Sequence, residues 1–149
     1  KMKKENVNFA GEMSGHIFFA DDYYGYDDAL YVALRLLRIL DNTYHTLSEL
    51  TSEIPKYHST PEMRIDCKND AEKLKITRKA IKYFSKNYDC INIDGVRIKF
   101  KNGWGLVRNS NTQPVIVCRF ESTNHKDLLT IKNTVLNKLK KFGEIKLNE

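Results

Sequence analysis

The chain has 149 residues, 41% of them apolar and 30% charged, a size for one domain or two small ones and a balance that excludes disorder. Its net charge of +6 is unevenly spread: residues 1–55 carry 5 Lys and Arg against 9 Asp and Glu, whereas residues 56–149 carry 20 against 10. Apolar runs such as Ile17-Phe18-Phe19-Ala20 fall far short of a membrane span, and Lys1-Met2-Lys3-Lys4 leads into no signal-peptide core, so the chain is expected to start mid-protein or after processing. In chain order, a charged lead is followed by the loop Gly11-Glu12-Met13-Ser14-Gly15, a strand-like His16–Ala20 and the turn-prone Asp21–Asp28. An apolar helix is predicted over roughly 27–42, capped by Asp27 or Asp28, with Leu30, Ala33, Leu34, Leu37 and Leu40 on one stripe. That stripe needs a larger core than residues 1–55 offer, which hints at a missing partner. Thr46 and Glu49 have capping-box spacing for a short helix to Glu53. Pro55 and Pro61, with Ser and Thr between them, predict an extended connector and a boundary that divides 1–55 from 56–149.

The second part reads more clearly. Met63–Cys67 is a predicted strand, and a helix over 70–87 carries Leu74, Thr77, Ile81, Phe84 and Tyr88 at steps of three and four. Ile91–Ile93 and Val96–Phe100 alternate as strands, Asn102-Gly103 signals a hairpin into Trp104–Arg108, and Val115–Glu121 is a further strand. Asn124 caps a last helix with Asp127 at its third position. Its apolar stripe is Leu128, Val135, Leu136, Leu139 and Phe142, and Gly143 can end it. The expected class is α+β: a two-layer C-terminal domain with an antiparallel sheet of about four strands and two helices on one face. The helical tail of an α/β domain would precede it. The three cysteines, Cys67, Cys90 and Cys118, form neither a disulfide framework nor a zinc knuckle and suggest a reducing, cytoplasmic setting.

Two loops carry chemistry. In Arg108-Asn109-Ser110-Asn111-Thr112-Gln113-Pro114 a guanidinium fork can grip two phosphate oxygens, with hydroxyls, an amide and successive main-chain N–H groups beside it. The same residues also suit an ordinary polar loop. In Gly11–His16, the Glu12 carboxylate and Ser14 hydroxyl suit sugar hydroxyls, and His16 titrates near neutrality and can move a proton. The plainer reading is a glycine-bounded turn with a structural histidine. Asp21, Asp22, Asp27 and Asp28 lack calcium-loop spacing, and Arg119 either points toward the phosphate loop or is solvated.

Taken in order, Gly11-Glu-Met-Ser-Gly-His-Ile-Phe-Phe19, Tyr24-Gly-Tyr-Asp-Asp-Ala-Leu-Tyr31, Asp94-Gly-Val-Arg97 and Gly103-Trp-Gly-Leu-Val-Arg-Asn-Ser-Asn-Thr-Gln-Pro114 resemble the C-terminal part of an α-D-phosphohexomutase of the phosphomannomutase/phosphoglucomutase group. The resemblance implies that residues 1–55 are the end of a third, sugar-binding domain and 56–149 a fourth, phosphate-binding one. It implies a reaction that interconverts hexose 1-phosphate and hexose 6-phosphate through a phosphoserine and a bisphosphosugar intermediate. Glu12, Met13, Ser14, Gly15 and His16 would meet the sugar, His16 with a possible proton-transfer role. Arg108, Asn109, Ser110, Asn111 and Thr112 would hold the phosphate not being transferred, Asn109 through its backbone. The nucleophilic serine and the Mg2+ ligands would lie in upstream domains of the same polypeptide, so this chain alone is expected to be inactive. A basic, non-enzymatic module that binds nucleic acid or phosphate is the rival. Against a nucleic-acid partner, Phe100 and Phe120 read as core, not as an exposed stacking platform. No membrane partner is expected.

Overall fold

The computed structural model describes residues 2–12 and 14–147, and its chain divides into two compact units, Lys1–Pro55 and Lys56–Glu149. In the first unit, α1 (Met2–Glu5) leads into an antiparallel hairpin of β1 (Phe9–Gly11) and β2 (Ile17–Phe19), then α2 (Ala29–Asp41) and α3 (Leu47–Ser52). Asp28 caps α2 by accepting from the Tyr31 N–H, and Thr46 and Glu49 form the reciprocal capping box of α3. No described residue of this unit is buried. Leu30, Leu34 and Leu37 of α2 are 71%, 56% and 60% exposed, so the apolar stripe has nothing beneath it within its own unit.

The second unit holds every buried apolar side chain among the described residues, from Ile65 to Leu139. Its elements are β3 (His58–Ser59), β4 (Met63–Cys67), α4 (Asp70–Asn87), β5 (Cys90–Ile91), β6 (Val96–Phe100), β7 (Gly103–Asn109), β8 (Val115–Ser122), α5 (His125–Lys140) and β9 (Ile145–Leu147). All strand pairs are antiparallel, in the order β5-β6-β7-β8-β4-β9, and β3 pairs with the far end of β8. Period-two alternation sends Ile65, Val96, Ile98, Val107, Ile116, Cys118 and Phe120 into one core with Ile76, Ala80 and Phe84 of α4 and Leu128, Ile131, Val135, Leu136 and Leu139 of α5.

Several expectations change in detail. The sheet has seven strands, not about four: β3 and β5 span two residues each, and β9 follows the last helix, too short for periodicity to mark. The connector 55–61 is not free, because His58 and Ser59 pair with Ser122 and Glu121 and the Thr60 N–H donates to the Phe120 carbonyl. On α4 the buried stripe is rotated. Leu74 is 40% exposed, while Lys73, Ile76 and Ala80 face inward beside Thr77 and Phe84. The β6–β7 hairpin forms, yet Gly103 has no positive φ. It is glycine for space: a Cβ there would lie 2.1 Å from the Glu121 carbonyl oxygen. Gly143 likewise makes room for Glu72 and Ile76 of α4.

Candidate functional site

The phosphate-loop candidate spans the end of β7 and the start of β8. Arg108 lies opposite Val117 on the sheet face turned away from the helices, and Arg64 of β4 lies opposite Val117 on its other side. The Arg108 side chain is 33% exposed, and its nearest carboxylates, Asp94 and Glu62, stand 3.8 and 4.0 Å away. Those are long contacts that leave the guanidinium fork available. Asn111, Thr112 and Gln113 are exposed at the tip of the turn. Ser110 is buried, and its hydroxyl, placed by the sequence reading on the phosphate, instead accepts from the Thr112 N–H at 3.4 Å and lies 3.5 Å from the Thr112 hydroxyl. The Asn109 side-chain oxygen accepts from Thr77 at 2.7 Å. The turn closes on itself through the Ser110 N–H, which donates to the Val115 carbonyl. Beneath it, Lys73 Nζ donates to the carbonyls of Ser110 and Gln113.

Arg119 shares the open sheet face with Arg108 and lies opposite Leu106. Its Nε is buried without a hydrogen-bond partner. The sequence left open whether this side chain turns to the phosphate loop or to solvent; its Nε is sealed from both. Trp104, also on this face, donates its indole N–H to Glu121 and receives the Arg97 guanidinium 4.5 Å above its ring.

The sugar-loop candidate joins β1 to β2. The Gly15 N–H donates to the Glu12 carbonyl and the Glu12 N–H to the His16 carbonyl, which closes a tight turn with Gly15 at φ +93°. The Ser14 hydroxyl donates to the Glu12 carboxylate at 3.2 Å, so both polar side chains lie together on an exposed tip. Met13 lies outside the described residues. His16 Nδ1 meets the Asp27 carboxylate at 2.5 Å, and that hydrogen bond holds the imidazole above its ordinary pKa. With Nδ1 committed to Asp27, Nε2 is the nitrogen left to exchange a proton. The sequence missed Asp27 in this role because it sits 11 residues on, among four carboxylates read as a helix start.

Those carboxylates have other duties. Asp21 binds Arg35, Asp28 accepts from Tyr23 and caps α2, and Asp27 holds His16. Among the described residues no three His, Cys, Asp or Glu side chains converge on a metal position; the resemblance assigns the Mg2+ ligands to upstream domains, not to these carboxylates. No described helix is long and apolar enough to cross a membrane. A cavity of about 560 Å³ runs along the β4–β9 edge, lined by residues such as Asp66, Lys68 and Lys146, and includes no residue of either loop.

Residues 1–57 match the phosphoglucomutase/phosphomannomutase alpha/beta/alpha domain III, and residues 62–138 match the C-terminal domain of the same group. A phosphomannomutase/phosphoglucomutase of Pseudomonas putida is 43% identical over 144 residues, 93% of this chain and 30% of that protein. A phosphoglucomutase of Neisseria gonorrhoeae is 39% identical over 89% of this chain and 29% of its own length. A crystal structure of a phosphoglucomutase/phosphomannomutase family protein from Burkholderia thailandensis superposes with a TM-score of 0.80 at 35% identity, covering 97% of this chain and 31% of that one. The chain thus spans about 30% of the length of the relatives it matches. By the match of both its units, in order and over nearly all its length, this chain belongs to the phosphoglucomutase/phosphomannomutase family.

Proposed function

We propose that this chain is the C-terminal portion of a phosphohexomutase that interconverts hexose 1-phosphate and hexose 6-phosphate through a phosphoserine and a bisphosphosugar, and that it supplies the grip on substrate, not the nucleophile. Residues 1–55 contribute the end of the third, sugar-binding domain. Residues 56–149 are the fourth domain and hold the phosphate that is not being transferred. The observation that carries this reading is Arg108: a guanidinium at a strand end, its ion pairs no closer than 3.8 Å, beside the exposed tip 111–113.

Phosphoryl transfer is chiefly positioning and charge stabilisation. Arg108 and the tip amides read phosphate, so one cradle serves both orientations of a bisphosphosugar. Binding energy from that remote phosphate fixes the reacting end. Glu12 and Ser14 are hydrogen-bonded to each other, and with the Ser14 proton given to Glu12 both offer acceptor oxygens to the O–H groups of vicinal sugar hydroxyls. His16, backed by Asp27, delivers or takes the proton of the reacting hydroxyl at Nε2. On this reading the phosphoserine and the Mg2+ ligands belong to upstream domains of the same polypeptide. The 149 residues alone therefore give no mutase turnover. Free, unpaired thiols at Cys67, Cys90 and Cys118 support a cytoplasmic setting.

The test is calorimetric titration of the chain with glucose 1-phosphate, mannose 1-phosphate and inorganic phosphate, beside Arg108→Ala. Loss of a charge-assisted phosphate contact is expected to cost about 1.5–3 kcal/mol, roughly 10- to 150-fold in Kd. Equal binding by the variant, or no saturable binding by the wild type, rejects the reading. The family match disfavours the nucleic-acid alternative.

A further inference from the structure

One buried charge has no part in the mechanism above. Lys73 is 6% exposed, the sole buried ionic side chain among the described residues. Burying an ammonium is costly unless its three donors are met. Here it is compensated: Nζ donates to the Ser110 carbonyl at 2.8 Å and to the Gln113 carbonyl at 2.9 Å, and forms an ion pair with the Asp70 carboxylate at 2.6 Å. Two of the three partners are main-chain atoms of the turn assigned to phosphate.

We propose that Lys73 is a positioning residue for that turn: it draws the Ser110 carbonyl inward and so presents the Asn111 N–H outward to the phosphate of a sugar phosphate. The proposal rests on the reading of 108–112 as phosphate-holding and adds the device that shapes it. No peptide bond described is cis, and in a trans peptide the C=O and N–H point opposite ways. With the Ser110 oxygen tied to Lys73, the Asn111 N–H points away from α4, toward the side on which Asn111, Thr112 and Gln113 are exposed. The Gln113 carbonyl is followed by Pro114, which has no N–H, so turning that carbonyl inward misdirects no donor. Thr77, one helical turn along α4, fixes the preceding residue by donating to the Asn109 side chain. The ammonium also sets a positive charge behind the turn that a dianion meets in front, without competing for the anion's oxygens. Asp70, itself exposed, forms an ion pair with the ammonium.

The test follows main-chain amides by NMR while the isotope-labelled 149-residue chain is titrated with inorganic phosphate. Wild type, Lys73→Met and Arg108→Ala are compared. In the wild type the Asn111 amide proton is expected to move downfield as the site fills. Lys73→Met is expected to weaken binding about ten-fold or more and to abolish the Asn111 shift, a signature that general loss of stability does not produce in a folded variant. If Lys73→Met binds within two-fold of wild type and keeps the Asn111 shift while Arg108→Ala loses binding, the Lys73 inference is overturned and the phosphate reading stands. If the wild type does not bind, or Arg108→Ala binds as wild type, that reading fails and the inference with it. Should Lys73→Met not fold, the wild type decides: an Asn111 amide unmoved at saturating phosphate overturns the proposal.

Discussion

Gly95→Ala is the substitution that most directly couples fold to site. Gly95 turns the chain from Asp94 into β6 with φ +79°, and a Cβ there would lie 2.1 Å from the Val107 carbonyl oxygen, 2.7 Å from the Arg108 Cα and 2.9 Å from the Arg108 Cβ. The left-handed backbone costs an L-residue about 1–2 kcal/mol. Overpacking against atoms that are mostly main chain adds about 1–3 kcal/mol. The sum is about 2–5 kcal/mol, and for a unit of this size each kcal/mol lowers Tm by about 4–8 °C. Trp104 is the single tryptophan and lies in β7, so its fluorescence during urea unfolding reports this unit alone. The turn can escape the overlap only by parting Val96 from Val107, which displaces Arg108. Phosphate affinity should therefore fall in the same variant below its unfolding transition. Gly95→Asn separates the two costs, because Asn tolerates positive φ but still carries a Cβ. It should be nearly as destabilised as Gly95→Ala. Recovery of wild-type stability by Asn, or a loss below about 0.5 kcal/mol in the Ala variant, the scatter of ordinary surface substitutions, would refute the close-approach argument.

Two other outcomes are expected. Asp27→Asn should return His16 to its ordinary pKa, read by NMR titration of the imidazole C–H, since the Asp27 hydrogen bond is the main cause of its raised value. The pair's contribution to stability is complete below the unfolded histidine pKa and is lost as pH rises through the raised folded value, so the variant should flatten that dependence; a His16 titration unmoved in Asp27→Asn would remove Asp27 from the site. Residues 56–149 produced alone should unfold in one cooperative transition, because every buried apolar side chain described lies in that span; a broad, non-cooperative melt would show that the core depends on the first unit.

The sequence revealed elements whose local chemistry agreed with their surroundings. The caps at Asp28, Thr46, Asn69 and Asn124 are single residues with oxygens aimed at the next turn's N–H groups, and Thr46, Asn124 and the aspartate pair 27–28 could be read from spacing alone. The α5 stripe was legible because it has one helical period facing one sheet. On α4 the leucine at 74 drew the stripe off its true line, and the buried position went to Lys73, whose partners lie 37 and 40 residues downstream. The Asp70–Lys73 spacing is local, but it reads as an ordinary surface ion pair; no local pattern encodes an ammonium whose other two partners are carbonyls of a distant turn. The same limit hid the Asp27–His16 pair and the inward turn of Ser110. Gly103 is a different case: the Asn-Gly signal marked the hairpin correctly, while the physical need for glycine came from β8 on the other side of β7.

The sheet of the second unit ends on a two-residue strand at one border and a three-residue strand at the other. Borders so short display few unpaired main-chain groups and give an incoming strand little to template on. The leucine ridge of α2 is by contrast broad and uncovered within its own unit. Any clustering of this polypeptide at high concentration should therefore run through helix faces: it should keep its helical circular dichroism, disperse in mild detergent, and leave fibril-sensing dyes dark.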